Sequence, residues 1–397
     1  MTRRPIPEPG AAPLRRREWL LAALAALAVL GGCGGGVDSG GTGTGNRSTL
    51  AVGTISGFGS IVVNGVHYDE SAATIDDDDG RMRSRADLQL GMRTAVLAGT
   101  PTAGAAVASS VTIRSELGGA IDAIDLGTGR LVVLGQRVDL GASTVVDGGL
   151  QALAQGDEVT VYATLDLANG RYAATRVERR SGAGFDKIRG VVGTLDLGAR
   201  TLAIGTLLVD WSGVAPADAA TVLAPGRRVL LQLAQTPATG VRRATRLVLE
   251  DTVPADRERA EIEGRITAFS SATAFELDGV PVDASAARFP DGQAGLALGV
   301  RAEATGRISG GVLIATEVSV ENEDESEEPF EISGRVDAVD AAAQTFVVRG
   351  VTVHWSEATR FEGGSGASLA VGDQVELVGE LDASGERLEA TQVQVED

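Results

Sequence analysis

Asp76-Asp77-Asp78-Asp79-Gly80 places four carboxylates in a row, and hard cations such as Ca²⁺ are held by carboxylate oxygens. Consecutive residues cannot all face one ion, and the spaced D-x-D-x-D-G…E pattern of a calcium loop is missing. The run therefore reads as a solvated turn, with Asp76, Asp77, Asp78 and Asp79 as weak metal candidates and no cofactor expected. A second polar slot recurs at Asp69, Asp139, Asp210, Asp283 and His354, followed by Glu70, Leu140, Trp211, Ala284 and Trp355. An acidic or imidazole group beside an indole ring could grip a sugar, which makes Asp69, Asp210, Trp211, His354 and Trp355 candidate ligand-binding residues. The competing expectation is that the Asp caps a turn and the Trp fills the end of a core. Catalytic residues are harder to find. His67 and His354 occupy unlike slots, Lys187 is the only lysine, and no G-x-S-x-G or Walker pattern occurs. The expectation is a non-enzymatic protein. Abundant carboxylates keep one alternative open, an envelope polysaccharide hydrolase using a carboxylate pair.

These residues belong to a repeat. VGTISGF at Val52, GGAIDAI at Gly118, RGVVGTL at Arg189, EGRITAF at Glu263 and SGRVDAV at Ser333 share one pattern. Their glycines, Gly53, Gly119, Gly190, Gly264 and Gly334, are 66, 71, 74 and 70 residues apart. Each start leads to a turn glycine (Gly65, Gly135, Gly205, Gly279, Gly350) and then a leucine-rich step containing glycine, such as LAQGDEV. An alanine of the closing segment follows: Ala108, Ala174, Ala244, Ala315 or Ala390. Fixed order at a fixed period marks a tandem array.

Alternation of period two, as in Ile332, Gly334, Val336 and Ala338 against Ser333, Arg335 and Asp337, predicts half-buried strands. A glycine inside each first strand predicts a bulge, a bend or a close backbone approach, which a small barrel needs in order to close. About five strands in ~65 residues match the size and order of an OB-like barrel. The expected fold is all-β, with five tandem small antiparallel barrels spanning 49–116, 117–180, 187–250, 260–321 and 329–397. Linkers at 181–186, 251–259 and 321–329 predict a semi-rigid string, loosest before the fifth repeat.

The amino terminus carries an address. Arg15, Arg16 and Arg17 precede Trp19 to Leu30, an uncharged apolar run of twelve residues, which suits a signal peptide and is short of the ~20 residues of a spanning helix. Leu30-Gly31-Gly32-Cys33 resembles the lipobox of bacterial lipoproteins. The resemblance implies cleavage of residues 1–32, lipidation of Cys33 and, from Gly34 at the next position, the outer membrane. Gly34 to Ser48 reads as a flexible tether. Cys33 is the only cysteine, so no intrachain disulfide is available. Arg3, Arg4, Arg15, Arg16 and Arg17 outnumber Glu8 and Glu18, so removing the signal takes the formal charge from −19 to −22. That charge repels nucleic acid and anionic headgroups. The partners expected are the membrane through its lipid anchor, and an envelope glycan or protein.

The G-x-I/V starts, GFGSIVVNGVHYD (Gly57 to Asp69), and the L-x-x-G-x-x-V and A-T-x-V steps resemble the domain of unknown function 5666 over nearly all of 50–397. The resemblance implies a small β-barrel domain and brings no catalytic residues. Ala215 departs from it, standing where Thr144 and Thr359 occur in repeats two and five.

Overall fold

The computed structural model describes residues 49–182, 184–214, 223–235, 240–250, 254–321 and 329–396. The expected signal and tether, Cys33, Ala215 and most of the acidic stretch 321–329 lie outside them. Among the described residues, regular structure is all strand, apart from single 3-10 turns at Arg85–Asp87, Leu126–Thr128 and Leu150–Ala152.

Repeat one shows the plan. Its barrel strands are Thr49–Phe58, Ile61–Val63, Val66–Asp69, Arg93–Ala98 and Ala105–Arg114, and a further short strand, Thr74–Asp77, runs parallel to the last of them. The first pairs with the second, the second with the third, and the third runs parallel to the closing strand. The closing strand pairs with the fourth, which returns to the first. The sheet closes on itself as a five-stranded barrel. Repeats two, four and five pair in the same order. Repeat three does so with its first strand interrupted between Phe185–Val191 and Leu195–Asp196.

The sequence landmarks are the joints of this barrel. Two residues after each first-strand glycine, Ile55, Ile121, Val192, Ile266 and Val336 accept a backbone bond from Gly91, Gly156, Gly226, Gly299 and Gly372. These are the glycines of the leucine-rich step, and all have positive φ, from 79 to 98°, where a side chain is disfavoured. In four barrels the register slips at this point, as the first strand leaves the fourth and takes up the second. The glycine itself makes room for the tip of the hairpin between the second and third strands. A Cβ on Gly264 would lie 2.8 Å from Cβ of Asp278, and one on Gly190 would lie 2.5 Å from Ile204. The closing-strand alanines are buried, and each lies beside a register slip against the fourth strand.

The barrels do not form a string. The first strand of repeat one runs parallel to Arg257–Ser271 of repeat four over Thr49 to Val52, then beside Phe330–Asp340 of repeat five at Gly57 and Phe58. Leu117 and Gly118 of repeat two pair with Ile188 and Lys187 of repeat three. Val146 and Leu150 of repeat two donate backbone bonds to Gly385 and Ser384 of repeat five. One apolar core runs through repeats one and five, a second through repeats two and three, and a third joins repeat four to Val52. The linkers do not keep the barrels apart, because first strands more than two hundred residues apart in sequence pair with one another. Covering edges in this way also removes sites of aggregation.

Candidate functional site

The polar slots come apart in the structure. Asp69, Asp210 and Asp283 each accept the backbone N–H two residues on, from Ser71, Ser212 and Ser285, and these bonds hold Asp69 and Asp210 below the usual carboxylate range. They are turn caps. Trp211 and Trp355 are only 3% and 6% exposed, and Trp355 stacks at a tilt on Phe346 inside barrel five. Rings at that depth cannot present a face to a sugar in solvent, so the proposed sugar-gripping set is not assembled. His354 contacts the carboxylate of Glu389 on the neighbouring strand.

The aspartate run is not a solvated turn. Asp77 is buried, receives the N–H groups of Asp79 and Arg81, and pairs with Arg83. That geometry presents Asp78 and Asp79 to repeat three. Lys187 Nζ contacts Asp78, lies 3.4 Å from Asp79 and donates to Ser115 Oγ at 2.9 Å. Arg189 Nη2 lies 2.5 Å from the second oxygen of Asp78. Among the described residues, no group of three or more His, Cys, Asp or Glu could hold a metal ion. Cations of the protein itself, Lys187 and Arg189, pair with this run.

From there the charges continue across the centre of the cluster. Arg189 also meets Glu116 at 3.2 Å and Glu250 at 2.6 Å. Arg228 reaches Glu116 at 3.2 Å and Asp278 at 2.8 Å. Asp278 receives Arg93 at 3.2 Å, and Arg93 and Arg301 flank Glu263 at 3.5 and 2.9 Å. Arg114 stands 4.0 Å from Glu250. Six cations (Arg93, Arg114, Lys187, Arg189, Arg228, Arg301) face six anions (Asp78, Asp79, Glu116, Glu250, Glu263, Asp278). They come from repeats one, three and four and from the joint before repeat two. Arg189 is 1% exposed and Glu116 4%. Burial opposes the charge on Glu250, Glu263 and Asp278, yet the neighbouring guanidinium groups prevail and hold all three below the usual range. Taking an ion out of water costs several kcal/mol, so the hub tolerates one arrangement in which every charge meets its opposite. Of the hub, the sequence marks only the aspartate run and the single lysine, Lys187. The partners lie more than a hundred residues away, and no local pattern marks them.

A second cluster lies at the seam of repeats one and five. His67 Nε2 is 3.8 Å from Glu331. Glu331 and Glu376 sit on one face of adjacent strands, since Glu376 pairs with Ser333. Burial raises both carboxyls above their usual range, and Glu331 and Glu396 push Glu376 further. Burial lowers His67 against the pull of Glu376. Phe58, Arg85, Leu88 and Gln89 of repeat one and Asp337 and Arg349 of repeat five line an open cleft of about 480 Å³.

With this geometry in view, comparison with known proteins adds one firm point. Residues 118–178, 263–319 and 333–394 match the family described as Domain of unknown function (DUF5666). Three copies of that domain are present. They are repeats two, four and five; the matched segments leave out repeats one and three, which share the strand order and supply eight of the twelve hub residues besides Glu116. A solved structure titled "drosophila Unr CSD456" aligns over 71% of this chain and 97% of that chain, at 12% identity and a TM-score of 0.14. At that score the likeness carries no weight for fold or function. No curated protein matches the chain.

Proposed function

We propose that the chain is a non-enzymatic cell-envelope lipoprotein, held by lipid on Cys33 at the outer membrane. In this reading the stretch 34–48 tethers five OB-like barrels, which serve as one rigid binding or spacer body. The observation that carries it is the charge hub. Barrels locked at their centre keep their outer faces at fixed separations, which suits a spacer or a multi-point binder and does not suit a flexible string. A net charge near −22 after signal removal favours an envelope glycan or protein over nucleic acid as partner. The anchor is tested by Cys33→Ser. Palmitate labelling should vanish and the protein should leave the membrane fraction; continued labelling would defeat the reading.

The alternative, an envelope polysaccharide hydrolase, has one place in its favour. Glu331 and Glu376 form a neighbouring carboxyl pair whose raised values suit a general acid. Its test is release of reducing ends from envelope polysaccharide by the full chain, with loss of that activity in Glu376→Gln. No release by the unsubstituted protein would remove it.

A further inference from the structure

We propose that Lys187 and Asp78 condense to an amide, a covalent tie between barrels three and one. The chain has 35 basic residues, and Lys187 is the only one that is not arginine. Arginine is always charged, whereas a lysine amine can be uncovered as a nucleophile when buried. The lysine amine touches one carboxylate, Asp78, with a second, Asp79, beside it, and its side chain is 3% exposed.

Each part of an acyl-transfer site is present. The electrophile is the Asp78 carboxyl carbon. Its Oδ1 faces Lys187 Nζ, while its Oδ2 receives the Ser115 backbone N–H at 3.2 Å and Arg189 Nη2 at 2.5 Å. Those two donors would stabilise the oxyanion of a tetrahedral intermediate. Asp79, 3.4 Å from Nζ, is placed to carry protons, and Gln232 donates to its other oxygen at 3.1 Å. Both backbones are fixed. Lys187 is paired with Gln232 on one side and Gly118 on the other, and Asp78 N–H is bonded to the Ile113 carbonyl. Such fixed proximity replaces a bimolecular encounter.

The step balances without a further reactant. The ammonium of Lys187 gives one proton to Asp78 Oδ1, leaving a neutral amine against a neutral acid. Nζ attacks the carboxyl carbon, and the charge gathers on Oδ2. Asp79 takes a second proton from Nζ and returns it to Oδ1, which departs as water. One N–C bond forms, one C–O bond breaks, and nothing is oxidised or reduced. The amide would close a loop of 109 residues in a chain that has no cysteine pair for the purpose.

The test is the mass of the purified full chain and its tryptic map. The protein should be one water lighter than its sequence after the processing at its amino terminus is accounted for. Trypsin should yield a branched peptide joining the segment that ends at Arg81 to the one that ends at Arg189, uncut at Lys187. Lys187→Arg keeps the charge and should restore the full mass. Asp79→Asn should leave the fold intact by circular dichroism and slow or abolish the loss of water. A folded protein of full mass whose Lys187 is cut normally by trypsin would overturn the proposal. A branched peptide that forms at the same rate in folded Asp79→Asn would uphold the amide and overturn the role given to Asp79.

Discussion

Thr144 and Thr359 perform one task in two barrels. Each hydroxyl donates at 2.8 Å to the carbonyl of the closing-strand alanine, Ala174 or Ala390, and accepts the N–H of Gly141 or Ser356. Both threonines are buried. In sequence they are visible only as recurring letters, because each partner lies about thirty residues ahead on a strand whose register is unknown beforehand. Thr359→Val keeps the shape and removes the hydroxyl, so the Ala390 carbonyl loses that partner. The expected loss is about 1–3 kcal/mol in denaturant unfolding, with Thr359→Ser retaining most of the stability. Equal stability of Val and wild type would mean that the hydroxyl is bonded to no purpose. The tryptophans teach the converse lesson. An indole beside a carboxylate is equally compatible with a sugar platform and a barrel plug, and only depth separates the two.

At the level of the strand, the first-strand glycine and the hairpin tip form a unit. Closure of a small barrel was legible from period-two alternation and from glycine at a fixed place, because both follow from local geometry. The second role of the tip was not. In repeat four the tip residue is Asp278, at φ 50°, and its carboxylate bridges Arg93 of repeat one and Arg228 of repeat three. In repeat five it is Arg349, which donates to the Gly59 carbonyl of repeat one. Gly264→Val should therefore do more than strain its own barrel. The new side chain would push on Asp278 and shift the joint of three barrels. Limited proteolysis should show new cleavage in repeats one and three as well as four. Gly334→Val meets Val348 at 3.0 Å and the flexible side chain of Arg349, so its damage should centre on repeat five and the seam with repeat one. Cleavage confined to repeat four in Gly264→Val would show that the tips do not couple the barrels.

Across the whole molecule, the cluster is held by charges that meet across separations of up to 185 residues, which is why the sequence reads as beads and the structure as one body. The same charges set its response to acid. Asp278, Glu250 and Glu263 are held below their ordinary values by neighbouring arginines. A carboxyl depressed by folding contributes stability that is complete above its unfolded value, about 4, and is lost as pH falls through the depressed folded value. The hub should thus give a flat stability profile from about pH 5 to 8 and a steep decline below about pH 4. Burial also shields it from salt, since screening acts mainly on exposed charges, so added NaCl at pH 7 should change stability little. Asp278→Asn tests the assignment directly. It leaves the guanidinium groups of Arg93 and Arg228 facing a neutral amide, and removing one partner of a buried pair costs about 3–5 kcal/mol. The variant should be less stable at pH 7 by that amount and should lose less on acidification, because one titrating group is gone. Denaturant midpoints of both proteins from pH 3 to 8 would decide it. Parallel curves, offset equally at every pH, would show that Asp278 is not ionised in the fold and that the hub is not what acid unlocks.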